Sequence, residues 1–436
     1  MAEIDKSLPN TPTEIDLEKE ETVDATEAVT DTSMDGKTEI EMEEDGSATI
    51  NFDPNEKDPI GGEDHNANLA EFIDDQDLDS LGSELMDKYK DYRQSRQDWE
   101  ESYKEGLSLL GFKYITRTEP FRGASSVTHP VLAEAVTQFQ AQAYKELLPA
   151  EGPVRTQILG DINVPKEEQS KRVKDFMNYQ IMDQMKEYEP EFDQMLFYLP
   201  LSGSTFKKVY YDDLLGRAVS KFIPADDLVV PYSATSLEDA EAVIHVIRIS
   251  QNDLRKQQIN GFYKDIDLGE PPVVENQLKQ KELELEGITQ NGSEDMYTIL
   301  EMHVNVDLDG YEDVNPEDGE PTGIKLPYII TIDEANGKIL SIRRNYAAED
   351  PLKKKKDYFV HFKFLPGMGF YGLGLIHMIG GLSRTATVAL RQLLDAGTLA
   401  NLPAGFKTRG VRMRDDAQPL QPGEFRDVDV PGGNIK

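Results

Sequence analysis

Residues 364–403 read FLPGMGFYGLGLIHMIGGLSRTATVALRQLLDAGTLANLP, and the fold turns on how this stretch is interpreted. The first twenty, 364–383, carry no formal charge when His377 is neutral, which superficially resembles a membrane span. Six glycines and Pro366 disfavour a continuous lipid-facing helix, so a buried strand, a turn and a helix start are expected instead. From Leu375 the apolar positions fall into heptads: Leu375, Ile379, Leu382, Ala386, Ala389, Leu393, Ala396 and Ala400 alternate four and three apart. This spacing predicts a helix of roughly 26–28 residues, about 40 Å long at 1.5 Å per residue. Half of the seam is alanine, which lets helices approach closely. A seam this long wants a partner, although periodicity alone fits an ordinary core helix equally well.

Upstream of this stretch the period is two. Residues 205–211, 218–222 and 242–249 are rich in Val, Ile, Phe and Tyr and are separated by Gly, Pro and Asp clusters, as strands are. Strands resume at 297–306, 328–332, 338–343 and 358–365, with Asn336-Gly337 supplying a hairpin turn. Ser250 reads as the cap of a short helix. Residues 265–295 are polar and weakly patterned, and an exposed insertion is expected there. Before the strands come helices: one capped by Ser80 or Ser83 and running to Leu110, one from Pro130, one over 166–188 and a helical continuation over 190–199. Residues 154–160 read as a strand. The fold class is therefore α+β.

Composition adds a further element. Residues 1–80 hold 26 acidic and 4 basic side chains, a net of −22 out of the chain's −36. Such a segment cannot bury enough apolar surface to offset its ordering entropy, so residues 1–78 are expected to be a disordered acidic tail. The 436-residue chain has no cysteine, which excludes disulfides, thiol catalysis and Cys-based zinc sites. No apolar leader follows the N-terminus.

Few motifs carry chemistry. Gly367-Met368-Gly369-Phe370-Tyr371-Gly372 fits G-x-G-x-x-G between a strand and a helix, the setting of a dinucleotide fingerprint. Hairpins precede it where a βαβ unit should, and Asp395 falls within the long helix where the fingerprint's acidic residue should end a second strand. Glycines required by close packing account for it better. Residues 307–313 (DLDGYED) resemble part of a calcium loop but lack its twelfth-position glutamate and helical flanks. The six histidines show no metal-ligand spacing, no G-x-S-x-G elbow occurs, and the lysine run 353–356 reads as a solvated turn. No cofactor and no catalytic residue is assigned. Past Pro403, Lys407, Arg409, Arg412 and Arg414 form a small basic cluster.

Taken in order, several stretches resemble the portal proteins of tailed bacteriophages, above all the large portals of short-tailed phages. They are PLSGSTFKKVYYDDLLGRAVSKF (200–222) followed by IPADDL (223–228), EDAEAVIHVIRIS (238–250), YIITIDEANGKILSIRRNY (328–346), PGMGFYGLGL (366–375) and RQLLDAGT with NLP (391–398 and 401–403). The resemblance covers about residues 80–436. It implies a portal fold: a helical and strand-rich wing over 79–370, a first stem helix over 371–403 packed through Leu375, Ile379, Leu382, Ala386, Ala389 and Leu393, and from 404 a clip in which the chain stops. It further implies a self-assembled ring, usually a dodecamer, at one capsid vertex of the virion, assembled in the bacterial host cytoplasm without contacting membrane. Double-stranded DNA would pass through the ring during packaging and ejection. Its partners would be terminase, capsid or scaffold proteins and, later, tail adaptors, with Lys407, Arg409, Arg412 and Arg414 facing the motor or the DNA. An acidic body suits a conduit, since repulsion keeps duplex from adhering. The competing readings are a nucleotide-cofactor enzyme using 367–372 and a different virion adaptor or scaffold.

Overall fold

A computed structural model describes residues 39–42, 48–51, 65–113, 116–121, 123–160, 163–212, 215–271, 277–287, 296–314, 320–401, 412–413 and 428–429. The chain divides into two units after Gly62. In the first, β1 (Glu39–Met42) and β2 (Ala48–Asn51) pair antiparallel, with Ile40 opposite Ile50, so a hairpin forms within the stretch expected to be disordered.

The described part of the second unit is helical before its first strand, with a 3-10 turn at Leu69–Glu71 followed by α-helices. The first four are α1 (Asp75–Ser95), α2 (Gln97–Leu107), α3 (Val131–Leu147) and α4 (Val164–Tyr179), the last continued by a π-turn over Gln180–Gln184. The helix α5 (Tyr188–Ser202) leads into strands β3 (Ser204–Asp212), β4 (Arg217–Pro224), β5 (Leu228–Val229) and β6 (Ala242–Ser250). Two short helices follow, α6 (Gln251–Ile259) and α7 (Gln277–Glu286). After them come β7 (Met296–Val306), β8 (Leu326–Asp333), β9 (Ile339–Arg344) and β10 (Phe359–Lys363). The long α8 (Leu375–Asn401) and the two-residue strands β11 (Arg412–Met413) and β12 (Val428–Asp429) complete the described elements.

Among the described residues every strand pairing is antiparallel, and the two larger sheets are ordered β5-β6-β7-β8-β9 and β10-β3-β4. The architecture is α+β. Alternation along β7 assigns each face of the larger sheet. Leu300 and Met302 join Ile244, Ile330, Ile332 and Ile342 under Leu78, Leu85, Met86 and Tyr89 of α1, while Tyr297 and Ile299 pack with Leu254 of α6. Each fully buried aliphatic side chain here contributes roughly 1.5–3 kcal/mol. Gly82 lets α1 press directly onto the β8–β9 turn: a Cβ there would stand 2.4 Å from the Gly337 carbonyl oxygen.

Several expectations are corrected. Residues 65–78 are built into the fold, because Leu69 and Ala70 are fully buried and Asn68 closes the β9 edge. Its amide donates to the Leu340 carbonyl at 3.2 Å, and its side-chain oxygen accepts from Ile342 N–H at 2.9 Å. The first helix begins at Asp75, so Ser80 and Ser83 lie inside it, the Ser83 hydroxyl donating to the Asp79 carbonyl. That helix breaks at Arg96, whose guanidinium turns inward to the carbonyls of Ala225, Asp226 and Leu228. Residues 154–160 are not a strand. Val154 spends its N–H and carbonyl on the Asn178 side chain, and among the described residues no strand pairs with this stretch. The supposed insertion 265–295 contains α7, which buries Leu278 and Glu282. The β8–β9 loop is longer than a two-residue turn: Asp333 and Lys338 close it, and Gly337 holds φ +68°.

Candidate functional site

The 27-residue α8 spans about 40 Å and turns an unusual face inward. Its buried stripe is Ile376, Gly380, Ser383, Thr387 and Asp395, mostly small or polar. An extended segment just before α3 lies along this stripe and is tied to it. His129 N–H donates to Thr387 Oγ1 at 3.0 Å, Ser125 N–H to Asp395 Oδ1 at 2.6 Å, and Arg391 Nε to the Val127 carbonyl at 2.6 Å. The heptad residues lie one position away, roughly 100° around the helix. Leu375 and Ile379 reach the core cluster of Tyr103, Leu107, Leu132 and Leu201, and Ala386 is half-buried. Ala389, Ala396 and Ala400 are exposed, and Leu382 and Leu393 are 67% and 70% exposed. Met378, Val388, Leu394 and Leu399 are exposed beside them. Thus, beyond its first turns, α8 is held to the rest of the chain through hydrogen bonds and presents an apolar face outward, the reverse of an ordinary surface helix. The spacing of Ser383, Thr387, Arg391 and Asp395, each four apart, is the sequence signal for the inward stripe that heptad reading passes over.

The root of α8 is an interlock of glycine backbones. A Cβ on Gly203, whose φ is +89°, would meet Gly374 N at 2.4 Å and Gly372 O at 2.5 Å. One on Gly374 would meet Leu201 O at 2.3 Å, and one on Gly372 would meet Gly203 O at 2.4 Å. The local N–H groups are spent within the chain: Gly372 on Ser204 Oγ (2.7 Å), Leu373 on the Leu365 carbonyl (2.8 Å), Gly374 on His377 Nδ1 (3.1 Å). A phosphate cradle needs such groups free and a parallel βαβ frame. Here β10 pairs antiparallel with β3, and the glycines serve packing.

Aromatic and ionic contacts fasten this root to α2. Trp99 is stacked between Tyr371 and Tyr103, with centroids at 4.8 and 5.5 Å. Buried Arg96 donates to the Tyr371 hydroxyl at 3.0 Å and pairs with Glu100 at 2.8 Å. Buried Asp226 and Glu282 and half-buried Asp227 lie within electrostatic reach of one another. Burial first, and the charge of Asp226 second, push Asp227 and Glu282 well above the usual carboxylate range.

One ion pair joins the two larger sheets, and a second charge is buried on β3. Burial would raise the Glu301 carboxyl, but Lys208 at 2.6 Å and His303 at 2.8 Å hold it well below its ordinary value. Lys207 lies 4.0 Å over the Tyr188 ring and has no hydrogen-bond partner among the described residues. Burial lowers its pKa to about 8, opposed by Glu191 and Glu187. Because the folded state releases this proton before the unfolded chain does, stability rises with pH between about 8 and 10.5. Lys207→Met is therefore expected to stabilise the protein at pH 7 by about 1–3 kcal/mol, with the advantage shrinking by pH 10, as urea titrations at both pH values would measure.

Of the basic cluster, Lys407, Arg409 and Arg414 lie outside the described residues, and of Arg412 only its place in β11 opposite Asp429 is described. In the lysine run, Lys353 pairs with Asp313 at 2.6 Å and Lys355 donates to the carbonyls of Leu237 and Glu238. Among the described residues no His/Cys/Asp/Glu group could hold a metal ion, and no helix is long and apolar enough to cross a membrane. No family model matches the chain, and no curated protein sequence matches it.

Proposed function

We propose that this chain is a subunit of a tailed-bacteriophage portal, a non-catalytic ring at one capsid vertex through which double-stranded DNA is packaged and ejected. The outward apolar face of α8 carries the reading. Leu382, Ala386, Ala389 and Leu393 repeat at heptad spacing on a helix that, beyond its first turns, is covered by the rest of the chain mainly on its polar side. Cyclic symmetry offers such a helix an identical neighbour, and the alanines permit close approach. The strand-rich body before α8 and the order of the portal-like stretches support the same reading.

In this reading the body before the glycine corner is the wing, α8 is the first stem helix, and residues from about 404, with Lys407, Arg409, Arg412 and Arg414, lie where terminase and later tail adaptors dock. Capsid or scaffold proteins contact the wing, and a net charge of −36 keeps duplex from adhering to the channel. Negative-stain microscopy with sedimentation velocity tests it. Rings with an open central channel are expected, their symmetry giving the subunit number, probed across ionic strengths because like-charged subunits repel. A chain that stays monomeric at every concentration and salt overturns the reading.

A further inference from the structure

Three of the four edges of the two larger sheets are closed by side chains of the same chain. The Asn68 side chain bonds the Leu340 carbonyl and the Ile342 N–H of β9. On β4, Glu191 accepts from the Phe222 N–H, and Arg217 donates to the Ala218 carbonyl. The two-residue β5 gives its Leu228 carbonyl to Arg96 and Tyr371, at 2.8 and 3.1 Å. Such capping keeps an edge from templating another strand. The fourth edge, β10, has no such cover. Tyr358 and Phe364 bond Val209 and Gly203, and the register sets Val360 opposite Lys207 and Phe362 opposite Thr205. Antiparallel alternation therefore turns the backbone groups of Phe359, His361 and Lys363 away from β3. Among the described residues none of these N–H and carbonyl groups has a hydrogen-bond partner, and the Val360 side chain is 47% exposed.

The chain also holds strand-like sequence outside any sheet. Residues 154–159 run without helix, turn or bend, and Arg155, Thr156, Gln157 and Leu159 are exposed, Leu159 to 84%. Asn178 of α4 takes both the N–H and the carbonyl of Val154, and the Ser170 hydroxyl donates to Thr156 Oγ1 at 2.8 Å. The segment is thus splinted along α4, a helix that buries no residue of its own. From Arg155 to Leu159 no backbone N–H or carbonyl is hydrogen-bonded among the described residues. Because Val154 turns toward Asn178, strand alternation directs the groups of Arg155, Gln157 and Leu159 away from the splint.

We propose that residues 155–159 of one copy add to the β10 edge of a second copy, as a fourth strand of its β10-β3-β4 sheet. Each side supplies what the other lacks: an open edge with three outward residues, and an extended segment with three outward residues. The lengths agree, since β10 spans five residues and so does 155–159. Thr156 and Ile158 suit a pleated strand. The contact is heterologous, each copy giving one strand and receiving one, and such a contact repeated about an axis closes a ring. The second copy is the ring neighbour of the proposed portal, so the inference rests on that reading, but it uses no part of the outward face of α8.

Cross-linking and a proline variant test the exchange, and the absence of cysteine from the chain makes the first unambiguous. Chains carrying Gln157→Cys are co-expressed with chains carrying Val360→Cys and treated with a short bis-maleimide. Cross-linked pairs are expected from the mixture, and at least tenfold fewer from either variant alone. Gln157→Pro removes an N–H that is unused within the subunit, so its circular dichroism should match wild type while the association constant falls at least tenfold. Rings that give no cross-link in the mixture, or a Gln157→Pro chain that assembles like wild type, overturn the exchange and leave the ring reading standing. Cross-linked pairs or open chains without rings uphold the exchange and overturn the ring. A wild-type chain that is monomeric throughout overturns both.

Discussion

Replacing both Leu382 and Leu393 by glutamate is expected to abolish assembly while leaving the subunit folded. In the single chain these side chains are 67% and 70% exposed, so their loss removes little intramolecular burial, and the melting temperature should stay within about 3 °C of wild type. Between copies the effect is far larger. Each leucine buried at an interface contributes roughly 1.5–3 kcal/mol, and a carboxylate put in its place must be desolvated without a partner. Together these amount to at least about 4 kcal/mol per interface, a thousandfold in the association constant. Sedimentation velocity and thermal melts on the same samples separate the outcomes. A variant that assembles like wild type removes the outward face of α8 from the interface. One that fails to fold shows that these leucines support the subunit itself.

The second large effect is expected at the root of the helix. Gly203→Ala places a methyl group where Gly374 N and Gly372 O stand at 2.4 and 2.5 Å, on a backbone with φ +89°. The left-handed conformation alone costs about 1 kcal/mol in a non-glycine residue. The clash is with backbone, which cannot swing aside as a side chain does, so the total loss of stability is expected to exceed about 3 kcal/mol. Tyr371 follows Gly372 if the corner moves, which changes its stacking on Trp99, the single tryptophan of the chain. A shift in the Trp99 emission should therefore accompany the lower urea midpoint. Gly369→Ala is the matched control: nothing lies within 4 Å of its Cβ, and a change below about 0.5 kcal/mol is expected. Equal behaviour of the two variants would refute the interlock.

Much of the helix and strand layout was legible because its causes are local. The Ser250 hydroxyl caps α6 by accepting from Asp253 N–H at 3.2 Å, as serine before a helix is suited to do. Alternation marks β3, β6 and β7, and the heptad run marks α8 within two residues of its observed ends. What misled the reading was burial supplied from a distance. Arg96 looks like one more charge on a charged helix, yet carbonyls more than a hundred residues away draw it inward and break the helix. Residues 277–286 look like a solvated insertion because Lys279, Lys281 and Glu284 dominate them, while Leu278 and Glu282 do the packing. Residues 154–160 have strand composition but no strand to pair with among the described residues.

By itself the sequence determined where the elements lie, that the sheets are built from hairpins and not from βαβ units, and that residues 375–401 form one helix with a continuous apolar seam. Only the tertiary structure decided which side of that helix the rest of the chain covers. Periodicity says which residues share a face, since that depends on 3.6 residues per turn. Which face is buried depends on the surface available to cover it. Here that surface is the extended segment before α3, whose N–H and carbonyl groups match Thr387, Asp395 and Arg391, so the polar stripe turns inward and Leu382 and Leu393 remain outside.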